Sequence, residues 1–256
     1  MSISARLSVI TLQRTPKRLK WFLECNNKAL ESWNVDVIEG IDGVLHKDLF
    51  QQSRLVSKNA LNRWSAGAIG SALSHMHIWR MCIKVGQPMI IAEDDAILAT
   101  GLKDSLEDLL QGEHEDPAFL LLGWNMDSVL QAEILTGLGI ISLFEEAYPK
   151  EDELRRIVNY TTERRICKLK RCFGLPAYRI TPRGAKYLLK KLNPLPSEPI
   201  IMGRGIPIHY SNTLDGALNN LYEKIEAKVA FPPLALALND QSKSLTRKHR
   251  PHNFGN

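Results

Sequence analysis

Long apolar runs and paired cysteines are missing from this chain of 256 residues. No window approaches about 18 consecutive apolar residues, so no transmembrane helix is expected. The four cysteines show neither a CxxC pair nor the spacing of zinc ligands, which favours reduced thiols in a cytosolic protein. The N-terminal segment Met1–Arg6 lacks the charged and apolar regions of a signal peptide. We therefore expect a cytoplasmic protein.

Several catalytic and nucleotide-binding signatures are absent as well. The sequence contains no GxSxG, HExxH or Walker loop, and its Gly-x-Gly pairs at Gly137 and Gly203 lack the third glycine of a dinucleotide fingerprint. These absences weaken the dehydrogenase and P-loop kinase interpretations. The net charge of +5 favours anionic partners. Aromatic residues are not interleaved with the bases, so no nucleic-acid partner is expected.

The most informative feature of the sequence is an apolar segment that ends in three consecutive acids. Met89–Ala92 predicts a buried strand, and Glu93, Asp94 and Asp95 follow it directly. Negative charge at the end of a core strand is costly unless a positive partner meets it. Carboxylate oxygens suit Mg²⁺ or Mn²⁺, and strand pleating predicts that Glu93 and Asp95 point to the same face. An ordinary strand-to-loop junction with solvated acids is the alternative.

Alternating strand and helix patterns predict an α/β fold with a mostly parallel central sheet flanked by helices. We expect one domain over residues 1–245 and a basic, flexible tail over residues 246–256. The clearest patterns predict strands at 7–12, 35–40, 89–92, 119–123 and 177–181, and helices at 66–85 and 185–192. Weaker patterns predict a strand at 135–144 and an exposed helix at 151–166.

Charged residues follow each of the first three predicted strands. They are Arg14 and Arg18 after the first strand, Asp42 after the second and the three acids after the third. Ligands bind at the carboxyl ends of the strands in open α/β sheets, so this coincidence favours a metal or phosphate site. Arg14 and Arg18 lie at a helix start, which suggests phosphate recognition, although a surface charge cluster is the alternative. Asp42 is a candidate for a ribose or base contact, or a plain turn aspartate.

Two further residues are candidates for chemistry. His75 shares a helix face with Trp79 at i and i+4 and is expected to line a pocket, unless it is a core histidine. His75 and His77 are two residues apart and cannot share a metal ion on a helix. Asp215 is a candidate general base, with a helix cap as the alternative role and with Asp127 and His75 as rival bases.

Taken together, these segments resemble glycosyltransferase family 25, the lipopolysaccharide and lipooligosaccharide biosynthesis glycosyltransferases. The resemblance covers residues 9 to 244. The matching pieces, in the order of the family, are Val9–Leu12 with Arg14 and Arg18, Glu39–Gly43, Gly70 with Ser74, His75 and Trp79, Ile91–Ala96, Gly174–Tyr178 with Gly184, Ala185, Leu188 and Leu189, then Asp215, and Pro232–Leu234 with Ser242. Thr11 and Ser71 depart from the family, where many members have asparagine and cysteine, and we expect neither residue to touch a carboxylate.

The resemblance implies a GT-A-like single domain and an inverting hexosyltransferase. This enzyme would move galactose or glucose from UDP-galactose or UDP-glucose to a lipooligosaccharide or lipopolysaccharide acceptor. It also implies Mn²⁺ or Mg²⁺ as the cofactor, and peripheral contact with the anionic inner-membrane face is left open. The residue roles that it implies are catalysis by Asp215 and Asp94, nucleotide-sugar binding by Leu12, Arg14, Arg18, Asp42, Ser74 and His75, and metal binding by Glu93 and Asp95. A non-catalytic scaffold of envelope assembly is the alternative function. A basic nucleic-acid-binding protein is a further, less favoured alternative.

Overall fold

The computed structural model describes residues 6–203, 205–206, 208–239 and 245–246. Most of the predicted tail and Ser242 lie outside the described residues, so the boundary at residue 245 stays a prediction. Within the described ranges, no helix combines the length and the apolar character that a membrane crossing needs.

Helices cover both faces of a central sheet. The α-helices within the described ranges are α1 (Pro16–Cys25), α2 (Asn27–Leu30), α3 (Lys47–Gln52), α4 (Lys58–Arg63), α5 (Ala66–Val85), α6 (Leu102–Gln111), α7 (Glu151–Val158), α8 (Pro182–Lys191) and α9 (Leu214–Leu218), with a 3₁₀ turn at Tyr222–Ile225. The helix predicted at 66–85 is confirmed as α5. Its first turn is capped by the Ser65 hydroxyl, and it ends at Gly86, whose φ of 71° suits glycine.

The strands form one large sheet and two small pairs. They are β1 (Arg6–Thr11), β2 (Asn34–Glu39), β3 (Met89–Glu93), β4 (Ala96–Leu98), β5 (Phe119–Leu121), β6 (Leu130–Leu135), β7 (Leu138–Ser142), β8 (Arg165–Cys172), β9 (Ala177–Ile180), β10 (Pro199–Ile200), β11 (His209–Tyr210), β12 (Lys228–Phe231) and β13 (Ala235–Ala237). In the described residues the large sheet has the order β2-β1-β3-β9-β5-β12-β8-β6-β7. β10 pairs with β11, and β13 pairs with β4.

The α/β class is confirmed, but only three of the eight pairings among the described strands of the large sheet are parallel. β1 runs parallel to β2 and β3, and β12 runs parallel to β5. The other described pairings of the large sheet are antiparallel. β9 runs opposite to both of its neighbours, and the direction alternates along the neighbouring strands β12, β8, β6 and β7. A strand that is buried on both faces has the same apolar composition in either direction, so its sequence does not show which way it runs.

Each central strand sends alternate side chains into two hydrophobic cores. Ile91 packs into the core beneath α5 and α8, while its neighbour Ile90 packs into the core beneath α1 and α6. Burial on both faces explains why the central strands read as continuous apolar runs. The weaker patterns were only partly right. The hairpin β6–β7 covers the region predicted as one strand, and α7 ends at Val158, ahead of β8.

Candidate active site

A cleft of about 1860 Å³ opens at the carboxyl ends of β1, β2 and β3. These three strands are neighbours and run parallel, so the residues that follow them meet at one edge of the sheet. Nearly all of the predicted site residues line this cleft, namely Leu12, Arg14, Arg18, Ser74, His75, Glu93, Asp94, Asp95 and Asp215. The remaining one, Asp42, lies directly behind the cleft surface, between the lining residues Ile41 and Gly43. The placement agrees with the prediction, while the role of each residue stays a prediction.

The three acids separate into two groups. Glu93 is the last residue of β3, whereas Asp94 and Asp95 lie in the turn that follows it. The Arg18 guanidinium bridges Asp94 and Asp95, with its Nη2 atom 2.7 Å from Asp94 Oδ1 and 2.8 Å from Asp95 Oδ2. The turn thus brings Asp94 and Asp95 to one cation, whereas pleating alone predicted that Glu93 and Asp95 would act together. Burial opposes the charge of Arg18, but Asp95, Asp94 and Glu93 together raise the pKa of its guanidinium.

Thr11 corrects one expectation from the sequence. Its hydroxyl group donates a hydrogen bond of 2.8 Å to Asp94 Oδ2, so this departure from the family pattern does touch a carboxylate. Both oxygens of Asp94 therefore have partners, Thr11 on one and Arg18 on the other. Burial raises the pKa of Asp94, and the charge of Arg18 and the hydrogen bond from Thr11 oppose that shift. This arrangement makes Asp94 an anchor for Arg18.

Two polar atoms next to this ion pair are buried without a hydrogen-bond partner in the described part of the chain. They are Asp95 Oδ1, an acceptor, and Arg18 Nε, a donor. An unsatisfied buried polar atom typically costs about 1–3 kcal/mol, so such atoms call for a physical explanation. A ligand that brings an anionic oxygen together with a cation satisfies both atoms at once.

Glu93 belongs to a chain of hydrogen bonds that runs into the core. Its Oε1 atom lies 3.3 Å from His75 Nε2, and His75 Nδ1 lies 2.8 Å from the hydroxyl oxygen of Tyr178. That oxygen also accepts a bond of 2.8 Å from Trp79 Nε1, which can only donate. Burial raises the pKa of Tyr178 well above its ordinary value, so the hydroxyl group keeps its proton.

This network defines the tautomer of His75. Every polar atom is satisfied when Tyr178 donates to Nδ1 and the Nε2–H group of His75 donates to Glu93. Burial raises the pKa of Glu93, the hydrogen bond from His75 opposes the shift, and the charges of Asp95 and Asp215 add to it. Glu93 therefore stands in a concentration of negative charge that an incoming cation would relieve.

Asp215 lies at the start of α9, and backbone amides hold its position. Its Oδ2 atom accepts a hydrogen bond of 2.7 Å from the Gly174 amide, and its Oδ1 atom accepts one of 2.9 Å from the Gly216 amide. Gly174 has a φ of 86°, and a Cβ atom there would lie 2.2 Å from Asn125 Oδ1, so only glycine fits. The loop after β8 and the first turn of α9 are thereby joined at Asp215.

The loop after β2 is attached to the cleft through Asp42 and Ser74. Asp42 accepts hydrogen bonds from Arg14 Nε and, at 3.0 Å, from the amide of Val44. The Ser74 hydroxyl group accepts from the amide of Ile41 and donates to the carbonyl of Gly70 on α5, both at 2.7 Å. These contacts hold the loop against α5, so Asp42 and Ser74 shape the wall of the cleft.

Sequence reasoning missed some of the residues that serve this site. Tyr178 was assigned no role, because it is 103 residues away from His75 and was apparent only as part of a strand and of the family segment Gly174–Tyr178. Arg63 and Tyr210, whose ring lies 4.1 Å from the guanidinium carbon, were also missed, and both line the cleft. Trp79 was detectable from its i, i+4 spacing to His75. Asp127, a rival base, accepts a bond of 3.1 Å from the Tyr148 hydroxyl group.

Comparison with known proteins places this site in context. The model of glycosyltransferase family 25 (LPS biosynthesis protein) matches residues 5–202. A search of curated proteins finds no match. Among solved structures the chain is similar to the apo form of the glycosyltransferase GlyE from Streptococcus pneumoniae TIGR4, with 11% identity and a TM-score of 0.42 over 93% of this chain. The match covers 55% of that protein, so this chain spans about half its length.

Proposed function

Since this chain belongs to glycosyltransferase family 25, a family of lipopolysaccharide biosynthesis proteins, we propose that it is an inverting UDP-sugar-dependent hexosyltransferase. It moves galactose or glucose from UDP-galactose or UDP-glucose to a lipooligosaccharide or lipopolysaccharide acceptor. The observation that carries this proposal is the pair of unsatisfied buried atoms, Arg18 Nε and Asp95 Oδ1, at the carboxyl end of β3. A diphosphate and its cation would satisfy both.

The donor occupies the cleft with its diphosphate beside Arg14 and Arg18. A volume of about 1860 Å³ exceeds the roughly 300–1,000 Å³ of a typical small-molecule pocket and leaves room for the acceptor. The remaining predicted binding residues contribute to the nucleoside subsite. Leu12, Ser74 and His75 line the cleft, and Asp42 lies behind its wall. Asp94 acts through Arg18, because both of its oxygens are already engaged.

Glu93 and Asp95 would hold Mn²⁺ or Mg²⁺, and this use of the acids corresponds to the metal signature of a GT-A-like fold. The fit rests on the unpartnered oxygen of Asp95 and on the concentration of negative charge around Glu93. The described residues contain no group of three or more metal-binding side chains. Two carboxylates are nevertheless enough for Mg²⁺, which is often bound by one or two carboxylates plus substrate phosphates. When bound, the ion supplies Lewis-acid stabilisation of the negative charge on the diphosphate.

Asp215 serves as the general base. The acceptor oxygen bonds to the anomeric carbon as the bond from that carbon to the UDP oxygen breaks on the opposite face, and the hydroxyl proton passes to Asp215. Its rival His75 has both ring nitrogens engaged with Tyr178 and Glu93. The other rival, Asp127, accepts a bond from the side chain of Tyr148, whereas Asp215 accepts bonds from two backbone amides. A carboxylate has about four lone-pair sites, so Asp215 can still accept a proton while the amides fix its position. We choose Asp215 over Asp127 because of this fixed position in the cleft.

A cytoplasmic location belongs to the same proposal. All four cysteines carry free thiols, which supports a reducing compartment.

The test is release of UDP from UDP-galactose and from UDP-glucose in the presence of a lipooligosaccharide acceptor, with and without Mn²⁺. One donor is expected to react, with activity that depends on the metal. Asp95→Ala should abolish metal-dependent UDP binding and lower the rate by about 100-fold or more, because it removes charge stabilisation at the leaving group.

Asp36→Ala is the matched control for Asp95→Ala. Asp36 lies on β2 and pairs with Arg6 at the surface, so its loss should leave UDP binding unchanged. If Asp95→Ala keeps metal-dependent UDP binding, Asp95 is not a metal ligand. A wild-type protein that neither binds UDP nor releases it from either donor would contradict the proposed function.

A further inference from the structure

Three large aliphatic side chains stand exposed on the segment that follows Asp42. Val44, Leu45 and Leu49 are 62%, 75% and 60% exposed, and we call them the Val44–Leu49 patch. Single exposed apolar residues are normal on protein surfaces, but adjoining ones indicate an interaction site. The patch thus needs a partner.

The patch spans the turn before α3 and the first turn of that helix. The His46 amide bonds to the Asp42 carbonyl at 3.1 Å, which closes the turn, and α3 begins after His46, whose φ of −107° and ψ of 14° are not helical. Val44 and Leu45 therefore lie in the turn, and Leu49 lies on the helix. Phe50 is buried on another side and anchors α3 to the protein. The segment buries one ring and turns its aliphatic side chains to solvent.

The charges around the patch are mostly positive. Residues 43–58 contain the exposed cations Lys47, Arg54 and Lys58 against a single acid, Asp48. The nearest other acid, Asp42, is already paired with Arg14. Exposed aliphatic side chains with a surplus of cations are the combination that binds an anionic lipid surface.

The patch also lies at the mouth of the cleft. Gly43 lines the cleft directly before Val44, and the Val44 amide bonds to Asp42 behind the cleft wall. A second group of exposed aliphatic residues, Leu135 and Leu138, lies on the β6–β7 hairpin. It is five residues along β6 from Leu130, the cleft end of that strand, which corresponds to about 17 Å. Of these two aliphatic groups, the Val44–Leu49 patch lies nearer the cleft opening.

We propose that the Val44–Leu49 patch inserts into the surface of an anionic lipid bilayer while the flanking cations bind its headgroups. This contact holds the cleft opening against the bilayer, where a lipid-anchored acceptor reaches it. The choice of a bilayer rests on the proposed function, since a lipopolysaccharide acceptor is held in a membrane by its lipid. The exposure, the charges and the position of the patch do not depend on that function.

The experiment measures binding of the full chain to sedimented vesicles. Wild type should bind mixed phosphatidylethanolamine–phosphatidylglycerol vesicles and bind phosphatidylcholine vesicles much more weakly. The double variant Leu45→Ser/Leu49→Ser should bind the anionic vesicles about tenfold more weakly or worse, because it loses the aliphatic insertion. Both side chains are exposed, so the fold should be unaffected.

Leu135→Ser/Leu138→Ser is the matched control, because its two leucines are 63% and 50% exposed on the hairpin. It should bind vesicles as wild type does. The proposal is overturned if wild type does not bind anionic vesicles, or if Leu45→Ser/Leu49→Ser binds them normally. It is overturned as well if Leu135→Ser/Leu138→Ser loses the same affinity.

A dimeric wild type that only Leu45→Ser/Leu49→Ser converts to a monomer would also overturn it, since the patch would then join two copies of the chain.

A second measurement separates this proposal from the proposed function. Transfer to a water-soluble oligosaccharide acceptor should be the same in wild type and in Leu45→Ser/Leu49→Ser, because neither leucine lines the cleft. Transfer to the same acceptor embedded in anionic vesicles should fall in the variant. Vesicle binding without any transferase activity would contradict the proposed function and leave the membrane surface standing.

Discussion

Two fully buried tyrosines that pack against Phe119 differ in whether their hydroxyl groups have partners. Tyr178 stacks on Phe119 at 4.8 Å, and Tyr222 packs against the same ring at 5.7 Å. The Tyr178 hydroxyl group bonds to both His75 and Trp79, while the Tyr222 hydroxyl group has no partner among the described residues. The same substitution at the two positions should therefore have different consequences.

Tyr178→Phe should lower the free energy of unfolding by about 1–3 kcal/mol, because the buried Trp79 N–H group loses its acceptor. Tyr222→Phe should be neutral or slightly stabilising, because it removes a hydroxyl group that is buried without a partner. Urea unfolding of both variants checks this. Equal losses would mean that the hydroxyl network behind Glu93 contributes nothing specific.

The arginine between the acids shows the same dependence on partners. Arg18 was predicted to bind the nucleotide sugar, and in the structure it is also the cation that accompanies Asp94 and Asp95. A charged group with two anionic partners keeps a defined position, which a phosphate-binding side chain requires. Arg18 is thereby held beside Asp94 and Asp95, in the position that the proposed diphosphate site requires.

At the scale of elements, the contact between α5 and the loop after β2 is unusually close. A Cβ atom on Gly70 would lie 2.3 Å from the Ile41 carbonyl oxygen and 2.6 Å from the Gly43 amide. Both neighbours are backbone atoms, which cannot move aside as a flexible side chain would. The glycine in α5 and the loop of residues 40–43 thus form one interlocked unit that positions Asp42.

Gly70→Ala should lower the stability by about 1–3 kcal/mol and weaken UDP binding, because the loop must shift away from α5. Gly112→Ala, at the exposed end of α6, is the control. A Cβ atom there meets nothing closer than 3.8 Å and the backbone has ordinary helical angles, so the change should be neutral or stabilise by up to about 1 kcal/mol. Differential scanning calorimetry and UDP titration measure both effects. Normal UDP binding by Gly70→Ala would contradict a role of the loop at residues 40–43 in binding the donor.

At the scale of the whole molecule, two cores share one sheet. Leu188 on α8 is buried in one core and Leu106 on α6 in the other, and the same central strands contribute side chains to both. Loss of packing in one core loosens the central strands, and the other core depends on the same strands. The described residues should therefore unfold as a single cooperative unit, as the prediction of one domain requires.

Leu106→Ala and Leu188→Ala should each cost about 2–5 kcal/mol, the usual range for a fully buried leucine. Both variants should shift a single transition, with tryptophan fluorescence and far-ultraviolet circular dichroism giving the same midpoint. Trp33 and Trp79 report on opposite cores. If a variant shifts the unfolding midpoint seen by one probe and not that seen by the other, the described residues unfold as two units.

Much of the fold and the candidate site could be predicted from local sequence. Long apolar segments such as 66–85 and 89–92 predicted α5 and β3 because burial requires a continuous apolar surface there. The sheet direction could not be predicted, since β9 is buried on both faces and lies between β3 and β5 although it follows both in the chain. In the hairpin, β7 lies within the strand predicted at 135–144, whereas β6 was missed although buried Leu130 and Ala132 alternate with Gln131 and Glu133.

The sequence by itself determined that the polar residues after the first three strands meet at the cleft. Apolar runs set the first three strands, and polar residues at their ends had to gather at one edge because parallel neighbours end on the same side. Only the tertiary structure decided which of those residues bond to each other. Thr11 and Asp94 are 83 residues apart, and Gly174 and Asp215 are 41 apart. Such contacts depend on strand order and on the turn after Glu93, which no local pattern encodes.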